Sequence, residues 1–238
     1  MKKMKVVTYN ALADAYTSYG DYSHTDPDLL THGARIEPTI QLLQGLDADV
    51  LGIQEADEAL VASIRDENQW QIFWTPKGRN KPDGCLTLVK NGIDVESFQS
   101  IEYSDGSGHV AQIIKIGGVA IANTHIKWAP SDSVDHVGVA QARELVTAID
   151  TDKAVLLADC NDKPGGPVRK VVEDSGFVDL AVDFPTALVD QEPVAIDLLA
   201  VRGMRAKNLT RNYDLHQIPN RANPSDHIPV EAELGSVL

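Results

Sequence analysis

The chain has only two cysteines, few aromatic residues (5%) and 21 Lys plus Arg against 35 Asp plus Glu. It also lacks any apolar run long enough to span a bilayer. Two cysteines, with Cys160 wedged between Asp159 and Asn161, argue against a disulfide framework and for a reducing compartment. The formal charge of −14 repels polyanions at long range, so global charge gives no help to indiscriminate duplex binding. Scarce aromatics leave little surface for stacking bases. Gly-x-x-x-x-Gly-Lys-Ser/Thr and Gly-x-Gly-x-x-Gly are both missing, and Ser225 lacks a nucleophile-elbow setting, which removes the usual nucleotide-binding and serine-hydrolase folds. The charged start Met1-Lys2-Lys3-Met4-Lys5 leads into an apolar run that stops at Thr8-Tyr9-Asn10, too short for a secretory leader, so a cytoplasmic protein is expected.

What is present can build one substantial core. The chain is 238 residues long and 43% hydrophobic, without linker, repeat or low-complexity tract, and reads as a single domain over 1–238. Short β-branched runs closed by turn residues predict strands at Lys5 to Asn10, Val50 to Gln54, Gln71 to Trp74, Cys85 to Val89, Val110 to Ile116, Val119 to His125, Val155 to Asp159, Ile196 to Val201 and Ile228 to Leu234. Helical periodicity predicts helices at Arg35 to Leu46, Asp57 to Glu67, Val134 to Ile149 and Val168 to Ser175, with Gly45 and Gly176 as stops. Hairpin-like pairs in the middle, flanked by strand-helix-strand units, predict an α/β fold: a four-layer sandwich of two mixed β-sheets packed face to face with helices outside.

Polar residues recur at the ends of these strands. Asn10, Glu55, His125 and Asp159 lie at C-terminal ends, with Asn161 just beyond, whereas Asp197 and His227 lie at the starts of theirs. All share one rim if the last two strands run opposite to the others.

Phosphate-ester hydrolysis needs a divalent cation on oxygen ligands, an oriented water, and donors for the developing negative charge. Glu55 is the first candidate metal ligand, and Asn10 either orients a carboxylate or touches the metal. Asp159 and Asn161 share a face by strand alternation, one to orient or deprotonate water and the other to donate to phosphate. Asp197 interrupts a buried strand and needs a partner; His227 supplies it, with its tautomer fixed for donation to phosphate. His125 adds a second imidazole, and Lys127 shares its face. Each residue alone is commonplace; their joint placement carries the reading. The remaining histidines show no zinc spacing.

Taken in chain order, Thr8-Tyr9-Asn10, Gln54-Glu55, Asn123-Thr124-His125, Ala158-Asp159-Cys160-Asn161, Ile196-Asp197 and Ser225-Asp226-His227 resemble the signatures of the endonuclease/exonuclease/phosphatase superfamily. Thr8 to Tyr16, Asp83-Gly84-Cys85-Leu86, Thr124-His125-Ile126-Lys127 and Ile218-Pro219-Asn220 are most similar to the branch of poly(A) deadenylases, nocturnin and 2',5'-phosphodiesterase-like enzymes. The resemblance implies Mg²⁺, or Mn²⁺ in its place, held by Glu55 with help from Asn10 and Asp226. It also implies Asp159 and Asn161 near water and phosphate, and the Asp197–His227 pair at the scissile group. Two departures stand out: Cys160 replaces a bulky aromatic, and Phe184-Pro185-Thr186 is a poor counterpart of the aromatic-rich segment such deadenylases carry.

Of two basic islands, Lys77, Arg79 and Lys81 precede Gly84-Cys85-Leu86 and are candidate substrate contacts; Arg202, Arg205, Lys207 and Arg211 read as solvated surface. The expected activity is in-line hydrolysis of phosphoester bonds in RNA ends, oligonucleotides or another nucleotide-containing ester. The expected partner is a nucleotide or single-stranded nucleic acid, with no membrane and no obligate protein partner. Two alternatives remain at this stage: a phosphatase for a small phosphorylated nucleotide or metabolite, and a non-catalytic binding module.

Overall fold

The computed structural model describes residues 3–182 and 184–235. Met1 and Lys2, the start of the charged N-terminal run, lie outside them. In chain order the elements are β1 (Met4–Asn10), α1 (Ile36–Gly45), β2 (Val50–Asp57), α2 (Glu58–Asp66), β3 (Trp70–Pro76), β4 (Asp83–Lys90), β5 (Ser97–Glu102), β6 (Val110–Ile116), β7 (Val119–His125), α3 (Val137–Ala148), β8 (Ala154–Asp159), α4 (Pro167–Asp174), β9 (Val178–Asp179), β10 (Ala187–Val189), β11 (Glu192–Val194), β12 (Asp197–Arg202), β13 (Ala206–Asn208) and β14 (Val230–Leu234).

Two six-stranded mixed sheets form, ordered β13-β14-β1-β2-β4-β3 and β5-β6-β7-β8-β12-β9, and β10 pairs with β11 in a separate hairpin. Alternation along each strand divides the apolar residues between two faces. Val6, Val50, Ile121, Leu157, Leu199 and Val230 meet between the sheets. Val7, Leu51 and Leu86 pack under α1 and α2, while Ala122, Leu156 and Leu198 pack under α3 and α4. The result is the four-layer α/β sandwich expected from the sequence.

The sheets are also pinned by polar groups. Gln54 Nε2 donates to Thr8 Oγ1 (3.0 Å) in its own sheet and to Asn123 Oδ1 (2.8 Å) in the other. Asn123 Nδ2 donates to Leu86 O (3.1 Å). Such a buried, hydrogen-bonded set favours one sheet-to-sheet register over the slips that apolar contacts tolerate. Gly52 makes the close approach possible, since a Cβ there would lie 2.9 Å from Leu157 and 3.1 Å from the Asn123 amide carbon.

Several boundaries differ from the sequence reading. The strand expected from Ile228 begins at Val230, after Pro229, which has no N–H for a ladder. Helix α1 ends at Gly45, but the left-handed residue that turns the chain away is Asp47 (φ 44°); Gly176 (φ 83°) is the stop expected after α4. The largely exposed edge strand β5 and the short β9, β11 and β13 are absent from the expected strands because their exposed or half-buried residues carry no core periodicity; β10 is absent too, being mostly buried but too short at three residues to show any.

Candidate active site

Register brings the polar strand ends together. β7 and β8 run parallel with His125 beside Asp159, and β12 runs antiparallel to β8 with Asp197 beside Asp159. In the other sheet Asn10 ends β1 next to Gln54 of the parallel β2, and β14 runs antiparallel to β1. The reversal of the last two strands therefore places Asp197 and His227 on the rim with Asn10, Glu55, His125 and Asp159.

Glu55 reaches that rim through a bulge. The β2–β4 register slips between Ile53 and Ala56, and Glu55 takes φ 52°. While Gln54 is committed to the inter-sheet network, the irregularity re-aims the next side chain. Its Oε1 accepts from Asn10 Nδ2 (3.1 Å) and its Oε2 from Ala13 N (3.1 Å). Asn10 Nδ2 also donates to Asp159 Oδ2 (2.9 Å), and its Oδ1 accepts from Leu12 N (2.9 Å). Of the two roles open to Asn10, the bonding seen is that of a clamp orienting two carboxylates.

Asp159 Oδ1 accepts from Asn161 N (3.0 Å). Asn161, also left-handed (φ 49°), donates its side-chain amide to Ile126 O and His125 Nε2, each 2.9 Å. On the other side of the ring, His125 Nδ1 lies 3.3 Å from Lys77 Nζ and 3.7 Å from Glu55 Oε1. Burial first, and Lys77 second, hold His125 well below the usual imidazole range.

His227 stands opposite. Its Nδ1 faces both oxygens of buried Asp197 at 3.1 and 2.9 Å, and its Nε2 is 3.8 Å from Asp159 Oδ2. Burial disfavours its charge, but the charge and hydrogen bonds of Asp197, with Asp159 and Asp226 behind them, outweigh that and hold it well above the ordinary value. The loop that carries it is tied down: Ser225 Oγ donates to Asn10 O (2.7 Å) and accepts from His227 N (3.1 Å), and Asn223 Nδ2 donates to His227 O (2.8 Å).

Glu55, His125 and Asp159 present ligand atoms within 4.8 Å of one another, as do Asp159, Asp197 and His227. Burial pushes Glu55 up to about 7 and Asp159 up to about 6. Buried Asp159 and part-buried Glu55, whose ionised forms are under-compensated by neighbouring cations, suit a hard divalent cation, which favours oxygen donors. The donor set therefore fits such an ion, with Glu55 and Asp159 to hold it. Asp226 lies outside both groups; its Oδ2 accepts from Tyr22 OH (2.7 Å) on the wall of the same cleft.

The first basic island divides. Lys77 is buried and ion-paired with buried Asp83, and its Nζ lies 3.3 Å from His125 Nδ1. Arg79 is exposed and Lys81 half-buried; Lys127 is exposed. Burial and the charges of Lys77, Lys81 and Lys127 depress His109 to about 3, and its ring stands 6.0 Å from that of His125. The lysines therefore gather on the His125 side of the site. Arg202 of the second island is partly buried against Phe177 and bonds Thr151 O (2.8 Å).

Sequence reasoning passed over Tyr16, whose hydroxyl donates to Asp83 Oδ1 (2.8 Å), as well as Tyr22 and the tethers Asn223 and Ser225. Ser225 falls within the Ser225-Asp226-His227 signature, but nothing local marks it, Asn223 or the two tyrosines for these contacts. Cys160 is fully buried, directs Sγ to Ile196 O (3.0 Å) and is pushed up to about 12 by burial, which makes it packing and not a nucleophile. A cleft of about 410 Å³ opens over Glu55, Asn161, Asp226 and His227. A larger hollow of about 630 Å³, bounded by Asp14, His32, Asp57 and Pro82, contains none of them.

Residues 7–227 match the model described as the Endonuclease/Exonuclease/phosphatase family. Among curated proteins, the CCR4-Not complex 3'-5'-exoribonuclease subunit Ccr4 of Coccidioides immitis is 25% identical over 201 residues, 68% of this chain and 26% of that protein. Carbon catabolite repressor protein 4 homolog 4 of Arabidopsis thaliana is 29% identical over 107 residues, 43% of this chain and 26% of that protein. The chain thus spans about a quarter of the length of these relatives. Among solved structures, ANGEL2, described as a 2',3'-cyclic phosphatase, superposes with a TM-score of 0.84 at 16% identity over 98% of this chain and 95% of that one. The human Nocturnin catalytic domain with bound sulfate gives 0.73 at 17% identity over 98% and 93%. At these identities the structural likeness is one of fold.

Proposed function

Given that the chain belongs to the endonuclease/exonuclease/phosphatase family, we propose that it is a divalent-metal-dependent phosphoesterase that hydrolyses nucleotide-containing esters by in-line attack of water. The observation that carries this reading is the meeting, on one rim, of the Glu55–Asp159 carboxylates and the Asp197–His227 pair. Mg²⁺, with Mn²⁺ as its substitute, is the ion proposed for Glu55 and Asp159; when bound it neutralises charge on the phosphate and lowers the barrier to attack.

The chain's own residues do the rest. His227 holds a proton on each ring nitrogen, Nδ1–H donated to Asp197 and Nε2–H turned to Asp159 and the cleft, ready to donate to a nonbridging phosphate oxygen. Asp159, fixed by Asn10 Nδ2 and Asn161 N, orients the attacking water or takes its proton. Asn10 fixes the spacing of the two carboxylates, and Asn161 orients His125, which burial and Lys77 keep neutral. Lys127, Lys81 and Arg79, with Lys77 behind them, receive the remaining phosphates on the His125 side.

The relatives' names favour an RNA end or a cyclic nucleotide as substrate. The net charge of −14 favours a short substrate over a long polyanion and keeps the small-nucleotide phosphatase as a second reading. Free, buried Cys85 and Cys160 suit a reducing compartment, which we take to be the cytoplasm. The apolar layer shared by both sheets supports one domain. RNA, single-stranded DNA, 2',5'-linked oligoadenylate, NADP and sugar phosphates, each with and without EDTA, test the proposal. Metal-dependent cleavage of a diester is expected; release of inorganic phosphate alone defeats the diesterase reading.

A further inference from the structure

The cleft over His227 is built from two segments far apart in sequence. One wall is the loop carrying Tyr19, Asp21 and Tyr22; the other is the β10–β11 hairpin with Leu188, Val189 and Asp190. Gln191 at the hairpin tip ties the walls together, its Nε2 donating to Asp21 O (2.7 Å) and lying 3.2 Å from His24 Nδ1. The turn itself is held in place at a cost, because Asp190 (φ 50°) and Gln191 (φ 66°) are both left-handed and neither is glycine.

Both walls expose apolar surface that the fold does not use. Tyr19 is 81% exposed, its ring tilted at 48° and 6.1 Å from Tyr16, which is itself anchored on Asp83. Val189 is 42% exposed. The titratable side chains lining the cleft are acidic apart from His227 and three tyrosines: Asp21, Glu55, Asp190 and Asp226. The lysines lie toward His125 and His109 instead. Beyond Glu55 and Asp226, which belong to the catalytic centre, charge is therefore sorted, with lysines on the side that accepts phosphate and Asp21 and Asp190 on an acidic, aromatic side that repels it.

We propose that this cleft holds one terminal nucleoside of the substrate, its base lying on Tyr19 against Val189, and its outer end free of phosphate. The inference rests on the phosphoesterase reading and adds which part of the substrate lies where. An aromatic face opposite an aliphatic one suits a planar ring. Asp21 and Asp190 at the rim accept hydrogen bonds from exocyclic amines, so amino-bearing bases are preferred over uracil. An outer phosphate meets the same two carboxylates and is repelled, while the rest of the substrate leaves past His125 toward Lys81 and Lys127. The tie at Gln191 closes the cleft to a continuing strand.

The test compares kcat/KM with Mg²⁺ for adenylyl-adenosine, for analogues in which either adenine is replaced by hydrogen, and for the dinucleotide carrying an added phosphate at either end. Wild-type protein should prefer the intact dinucleotide over one abasic analogue by roughly 5- to 150-fold. Tyr19→Ala should collapse that preference through KM, and Tyr19→Phe should restore it. A phosphate at the matching end should lower kcat/KM, and Asp190→Asn should recover part of the loss. Equal loss in Tyr19→Ala on intact and abasic substrates overturns the proposal. Wild-type cleavage of all the dinucleotides without preference overturns the cleft assignment and keeps the phosphoesterase; cleavage of none overturns the cleft assignment, and overturns the phosphoesterase as well if the wider substrate panel also shows no metal-dependent hydrolysis.

Discussion

Replacing Glu55 by Gln should reverse the sign of its effect on stability between pH 5 and pH 8 when no divalent ion is bound. Burial raises the Glu55 carboxyl to about 7 against an ordinary 4.5. A carboxyl raised on folding contributes stability that is fully present below the unfolded value and is lost as pH rises through the folded one. Between pH 5 and pH 8 that loss is about 2–3 kcal/mol, a change the neutral Gln side chain does not share. Gln keeps one oxygen acceptor but turns an NH₂ group toward either Asn10 Nδ2 or Ala13 N, which costs about 1–2 kcal/mol at every pH. The variant should therefore melt below wild type at pH 5 and above it at pH 8 in EDTA, with the difference between the two proteins moving by about 5–10 °C across the range. Mg²⁺ should raise the melting temperature of wild type at pH 8 and leave the variant unmoved, since a ligand stabilises only the state that binds it. Parallel melting curves against pH in EDTA, or a full Mg²⁺ shift in Glu55→Gln, would refute the argument.

His227→Ala should lower kcat by about 10²- to 10⁴-fold while retaining the Mg²⁺-induced thermal shift, because the imidazole acts on phosphate and not primarily on the ion; metal-dependent turnover near wild type would reject its role. Asp197→Asn removes the main influence holding the His227 proton, so the alkaline limb of the pH–rate profile should move to lower pH, and an unmoved limb would reject the pair. The same substitution should abolish the stability that a raised imidazole contributes below its ordinary value of 6.5 and loses as pH rises through its folded value, seen as a flatter dependence of the urea midpoint on pH. Asn123→Leu, far from solvent, should cost about 1–3 kcal/mol by removing the cross-sheet bonds to Gln54 Nε2 and the Leu86 carbonyl, although Gln54 keeps Thr8 Oγ1, read from urea unfolding; a cost near zero would show that the polar network does not pin the sheets.

The sandwich was legible because strand alternation and helical periodicity are written into short stretches of chain, and each helix and long strand of the core followed its apolar pattern. Strand direction was legible too: with Asn10, Glu55, His125 and Asp159 at strand ends and Asp197 and His227 at strand starts, only an antiparallel arrangement of the last two strands gathers them. Three features of the site had no such signature. The bulge that re-aims Glu55 is a slip in pairing between β2 and β4, not a residue pattern. Lys77 reads as a substrate contact in a basic island, yet Asp83 draws it into the interior beside His125. The cleft walls meet through a hydrogen bond between residues 170 positions apart. Periodicity is local and survives in the sequence, whereas the ion pair, the bulge and the tie exist only once packing has chosen which distant segments become neighbours.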